Sequence, residues 1–140
     1  MSAERLAIPP PIAAEILAHL RAMLPAEGCG LLAGDAGSGR VDAFHPARNR
    51  LASPTAFDLD GEDLVRIVMG IEAAGADLVA VVHSHPRTAA VPSPADLREA
   101  AYPVVQLIAG LADPAAGPRA ALRAWRYDGT GAREVPIIIG

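Results

Sequence analysis

The chain has 140 residues, 51% of them hydrophobic and 20% charged, which is the size and balance of one globular domain, not of a disordered or fibrous chain. The net charge of −4 and the lack of any basic cluster exclude a nucleic-acid binder of the usual kind. One cysteine, Cys29, excludes an internal disulfide framework, and without a signal-peptide core or an 18-residue apolar span the expected location is cytoplasmic.

Residues 1–10 read as a short, strand-like arm ending in prolines. Over 11–24, Ile12, Ile16, Leu17, Leu20, Met23 and Leu24 follow a helical period that Pro25 stops; His19 falls among the polar positions and reads as solvated. An apolar strand over 30–33, with Glu27 at its entry, a Gly-rich turn over 34–39 and a second strand over 40–44 make a hairpin. Residues 45–50 read as a basic loop in which Arg48 or Arg50 could face a substrate, and 55–58 as another short strand. Asp60 caps a helix through 74 whose Leu64, Ile67, Val68 and Ile71 share one face, with Gly75 closing it. Three strands, over 104–111, 120–127 and 135–139, finish the chain. Strands interleaved with helices predict an α/β class, a single-domain mixed β-sheet flanked by helices over 1–140.

The apolar run over 78–82 ends abruptly in His83-Ser84-His85-Pro86. This reads as a buried strand that stops at proline. Side chains alternate along a strand, so His83 and His85 face the same way, with Cα atoms about 6.6 Å apart for a rise of ~3.3 Å per residue. Two surface histidines at a strand end are the plain alternative, but a same-face pair closing a buried strand favours a metal. After a loop over 86–92, Ser93-Pro94-Ala95-Asp96 starts a helix reaching about residue 101, with Ser93 as N-cap, Pro94 first and Asp96 third. Alone, that is a capped helix. Beside the histidines, Asp96 also offers a third, anionic ligand and leaves one tetrahedral position for water, the pattern of a catalytic zinc site.

The spacing His-Ser-His, seven residues, Ser, two residues, Asp resembles the signature of the JAMM (MPN-plus) metalloprotease family, matched by His83, Ser84, His85, Ser93 and Asp96. The segment over 25–34, Pro-Ala-Glu-Gly-Cys-Gly-Leu-Leu-Ala-Gly, is similar to the glutamate-bearing stretch of prokaryotic members, and Phe57-Asp58 extends the likeness. The resemblance implies the JAMM/MPN, cytidine-deaminase-like sandwich, with zinc (Zn2+) held by His83, His85 and Asp96. It implies that Glu27 is the general base that carries a proton to the leaving amine, and that Ser93 donates to the oxyanion. Ser84 must point to the opposite face as support, and Cys29 reads as buried and inert. The shortness of the chain places the resemblance in a compact bacterial branch acting on ubiquitin-like sulfur-carrier proteins, with hydrolysis after a C-terminal Gly-Gly. Competing classes are fewer. Zinc deaminases need further cysteines, and no His-Glu-x-x-His is present. A zinc-stabilised binding module, and a peptidase on other conjugates or cell-wall peptides, stay as alternatives.

Overall fold

The computed structural model describes residues 5–99, 103–129 and 131–140. Strand β1 (Leu6–Ile8) leads into helix α1 (Pro10–Ala22), where Pro10 and Pro11 occupy first-turn positions whose N–H groups have no intrahelical partner in any case. Ala13, Ile16, Leu17 and Leu20 form its buried stripe. Strands β2 (Cys29–Asp35) and β3 (Arg40–Ala47) pair antiparallel as the expected hairpin. Helix α2 (Gly61–Ala73) starts where Asp60 accepts the Asp63 N–H and ends before Gly75, whose φ of 71° suits a residue without a Cβ. Strand β4 (Asp77–His85) follows, then helix α3 (Pro94–Glu99), strand β5 (Val105–Gly110), a single helical turn α4 (Pro118–Ala121), and strands β6 (Leu122–Tyr127), β7 (Ala132–Val135) and β8 (Ile137–Ile139).

Among the described residues these strands make one eight-stranded sheet in the order β7-β6-β5-β4-β2-β3-β1-β8. The pairing of β4 with β5 is parallel and that with β2 antiparallel, so the sheet is mixed and β4 lies inside it. Register and alternation sort the side chains. Leu31, Val81, His83, Gln106 and Trp125 share one face, and Leu32, Ala80, Val82, Leu107 and Ala124 the other. Helix α1 packs on the second face in the larger core, with Leu6, Ile8 and Val135. Helix α2 covers part of the first face through Ile67 and Ile71, against Leu31 and Val81. The remainder of that face is open to the site.

The sequence over 135–139 was expected to form one strand, and Pro136 divides it. Proline has no ladder donor, so it serves as a corner. One residue separates β7 and β8, which form the two opposite edges, so the sheet must curl round α1 to bring its edges together. Three other expectations change. No strand forms over 55–58: an isolated bridge of Asn49 with Leu59 follows it, Arg50 N–H donates to Asp58 O at 2.8 Å, and the Asn49 side chain takes Ala56 O and the Asp58 N–H. Strand β3 runs on through His45 and Pro46 to Ala47, which pairs with Cys29. His19 is half-buried, its Nε2 donating to the Cys29 carbonyl at 3.1 Å beside the tilted Phe44 ring. The expected end of α3 near 101 lies outside the described residues.

Candidate active site

The end of β4 places His83 and His85 on the same face, buried at 1% and 5% exposure. The first turn of α3 swings Asp96 over them. His83 Nε2 lies 3.3 Å from His85 Nε2, and Asp96 Oδ2 lies 3.3 Å and 3.0 Å from the two nitrogens. Asp96 is aimed by a reciprocal cap. Its backbone N–H donates to Ser93 Oγ at 3.0 Å, while the Ser93 N–H donates to Asp96 Oδ2 at 2.9 Å.

The donor chemistry fits a cation. His85 Nδ1 lies 2.8 Å from the Ala89 carbonyl, which can only accept, so Nδ1 carries the hydrogen and Nε2 presents a lone pair to the cluster. Two imidazole nitrogens and a carboxylate oxygen packed this closely repel unless positive charge sits between them. Bonds of ~2.0–2.1 Å in a tetrahedral zinc site give ligand separations of about 3.3 Å, close to those observed. Among the described residues, His83, His85 and Asp96 form the group that could hold a metal ion.

The surroundings fix this cluster. The Phe57 ring stacks on His83 at 4.4 Å and 17°. The 86–92 loop is pinned rather than free. Beyond the bond to His85, its Ala90 is buried and accepts the Trp125 indole N–H at 2.9 Å. Gly110 allows this approach, since a Cβ there would lie 3.1 Å from the Ala90 nitrogen.

Glu27 sits just before β2 and is 4% exposed. Extending the β2–β4 register by two residues brings it opposite His85. Its Oε1 is buried with no hydrogen-bond partner among the described residues. The backbone is clamped instead: Glu27 N–H donates to Ser53 O at 2.7 Å, and its carbonyl accepts from Asn49 Nδ2 at 3.0 Å. Asn49 also donates to Ala56 O and accepts from the Leu51 and Asp58 N–H groups, so its side chain organises the whole loop that carries Phe57. Ser84 points to the opposite face, as alternation requires, and accepts the Gly28 N–H at 2.8 Å, tying the Glu27 segment to the histidine strand.

Burial pushes the Glu27 carboxyl up to about 7, with His85 pulling it down and Asp96 pushing it up. Burial lowers His83. Burial would also lower His85, but with no cation present the Asp96 carboxylate facing Nε2 and the Ala89 carbonyl at Nδ1 favour its doubly protonated form and raise it overall. Burial would raise Asp96, but with no cation between them the two facing histidines, protonated on Nε2, hold it below the usual carboxylate range. Cys29 is fully buried, and burial pushes its thiol up to about 12, so no thiolate is available. Arg48 and Arg50, considered above for substrate contact, are held by acids: Arg48 forks onto Asp63 at 3.0 and 3.1 Å, and Arg50 meets Asp58 at 2.8 Å.

Sequence reasoning missed Asn49 and Tyr127. Asn49 stands in a turn-rich stretch where asparagine is ordinary. Tyr127, late on β6, reaches the site only through the sheet's order, and its buried hydroxyl has no partner among the described residues.

An α/β domain that curls its sheet round one helix and gathers such donors at a strand end is a JAB/MPN type of domain. It superposes on a JAB1/MPN domain protein from Archaeoglobus fulgidus with a TM-score of 0.61 at 18% identity, covering 97% of both chains. A structure described as a JAMM metalloprotease-like zinc site in the proteasome and signalosome matches at 0.59 and 17%, covering 97% and 98%. A protein from Desulfitobacterium hafniense matches more tightly, at 0.87 and 31%, covering 96% of this chain and 92% of that one.

The chain belongs to the prokaryotic homologues of the JAB domain, whose family model matches residues 9–128. It is 42% identical over 108 residues to a desampylase of Haloferax volcanii, covering 74% of this chain and 78% of that protein. It is 38% identical over 106 residues to a probable TtuB-protein conjugate cleaving protease of Thermus thermophilus, covering 75% and 70%. The match to the CysO-cysteine peptidase of Mycobacterium tuberculosis is 38% over 88 residues, covering 63% and 60%. No described helix is long and apolar enough to cross a membrane.

Proposed function

We propose that this chain is a zinc-dependent peptidase that hydrolyses the amide bond following the C-terminal Gly-Gly of a ubiquitin-like sulfur-carrier protein. The observation that carries the reading is the convergence of His83 Nε2, His85 Nε2 and Asp96 Oδ2 within 3.3 Å of one another, beside a buried Glu27 with an unpartnered oxygen. The substrate class is supported by relatives named as a CysO-cysteine peptidase and a probable TtuB-protein conjugate cleaving protease.

A divalent ion held by His83, His85 and Asp96 would supply Lewis acidity and a water with a pKa of about 7. Glu27, a carboxylate beside the three ligands with one buried oxygen free of protein partners among the described residues, takes the proton from the attacking water and returns it to the leaving amine. The His85 bond to the Ala89 carbonyl holds its tautomer and ring orientation. Ser93 Oγ uses a lone pair for the Asp96 N–H, which leaves its O–H to donate to the carbonyl oxygen as negative charge builds there. Phe57 closes one side of His83 to solvent. A Gly-Gly tail suits this crowded approach because glycine lets the backbone come close.

The test is an intact-mass assay on a ubiquitin-like sulfur carrier extended past Gly-Gly, incubated with zinc-loaded protein, with Glu27→Gln, and with a chelator. Trimming to Gly-Gly by the wild type alone is expected. Trimming at the wild-type rate by Glu27→Gln overturns the base assignment. Failure to trim despite stoichiometric zinc overturns the carrier as substrate and favours a zinc-stabilised binding module.

A further inference from the structure

Beside the metal-ligand cluster lies a second feature that the peptidase reading does not use. On the face of the sheet between α2 and α3 is a cavity of about 130 Å³ that reaches His83 and Asp96. Its apolar wall is Phe57, Leu59, Leu64 and Val81. Tyr127 and Gln106 form its far side. The Gln106 amide nitrogen donates to Val104 O, but the buried Tyr127 hydroxyl has no partner among the described residues. A buried donor without an acceptor is disfavoured unless a ligand supplies one. Asp58, Asp96 and Glu99 also line it, Asp58 paired with Arg50 and Asp96 facing the two histidines.

A tail of two glycines has no side chain to place in a cavity of this size. We propose that the cavity seats the first residue of the leaving group, an apolar aminoacyl unit whose side chain packs on Leu59, Leu64 and Val81 and whose carbonyl oxygen accepts the Tyr127 O–H. The apolar wall selects against a charged side chain at that position. This rests on the peptidase reading for the chemistry it serves, though not for the binding itself.

Two measurements separate the two ideas. In the first, carriers bearing Leu, Gly or Asp directly after Gly-Gly are compared by kcat/KM. Leu should exceed Asp by about 10–100-fold, the discrimination one apolar pocket affords. Leu64→Phe should bring the Leu-to-Gly ratio towards one. Tyr127→Phe should raise KM while keeping the order of side chains. Equal rates for all three carriers overturn the cavity assignment and leave the peptidase standing. In the second, methyl NMR follows the zinc-loaded protein with leucyl-serinamide, aspartyl-serinamide and free leucine, none of which carries a cleavable Gly-Gly bond. Leucyl-serinamide and free leucine should shift the Leu59, Leu64 and Val81 methyls and bind at least about tenfold tighter than aspartyl-serinamide. Such shifts support the cavity even if no carrier is cut. Their absence, or equal binding of aspartyl-serinamide, overturns it whatever the carriers do.

Discussion

Glu27→Gln in the metal-free protein tests the electrostatics of the site apart from catalysis. Burial takes the Glu27 carboxyl from 4.5 to about 7, so the fold favours its neutral form. Between those two values the folded chain holds a proton that the unfolded chain has released. Stability therefore falls as pH rises through this window, and the full cost is reached above about pH 7. At ~1.4 kcal/mol per pH unit the shift corresponds to about 3 kcal/mol. Glutamine has a similar shape and no charge, so the variant should lack this slope. Urea unfolding of chelated wild type and Glu27→Gln from pH 4.5 to 8.5 should show coincident stabilities at the acid end. At pH 8 the variant should lead by about 3 kcal/mol, with m-values unchanged. Zinc should narrow the gap, since nearby positive charge favours the carboxylate. A variant no more stable than wild type at pH 8 would refute the claim that Glu27 is held against its charge by burial.

Three further outcomes follow from particular contacts. Ser93→Ala should lower kcat on the order of 10²–10³ with zinc stoichiometry unchanged, and lose about 1 kcal/mol of stability through its cap; wild-type kcat would reduce Ser93 to a helix cap. Asn49→Ala removes four hydrogen bonds and should cost about 3 kcal/mol in urea unfolding and lower kcat as the Glu27 backbone loosens. Asn49→Asp cannot donate to the Glu27 and Ala56 carbonyls and should do no better, so a wild-type kcat in that variant contradicts the positioning role. Native Cys29 should resist iodoacetamide at pH 8 and react only on unfolding, and Cys29→Ala should keep its kcat; rapid labelling of the folded protein would contradict the buried, protonated thiol.

How far the site was legible from sequence depends on how local each part is. The same-face placement of His83 and His85 follows from strand alternation alone, and Asp96 and Ser93 from a four-residue helix start. Those four needed only the chain within fifteen residues of one another. Glu27 was selected by family likeness, because no local rule separates one glutamate from another. Its burial and its unpartnered oxygen come from β2 lying antiparallel to β4, a contact between segments more than fifty residues apart. The strand expected over 55–58 failed for a related reason: two of its backbone groups, Ala56 O and the Asp58 N–H, are taken by the Asn49 side chain, which offers an alternative to a ladder.

Periodicity, proline placement and capping by themselves determined α1, α2, the start of α3, the β2–β3 hairpin and the strand that ends in the histidines, since each is a property of a few consecutive residues. Tertiary structure alone decided the rest. Pro136 puts β7 and β8 on opposite edges, so the sheet curls round α1 instead of lying flat. That sheet order also carries Tyr127 across from β6 to the cavity beside His83, and the Asn49 loop brings Phe57 onto the same histidine. No spacing in the chain encodes these meetings, because burial and hydrogen bonding between distant segments select them only once the whole sheet has formed.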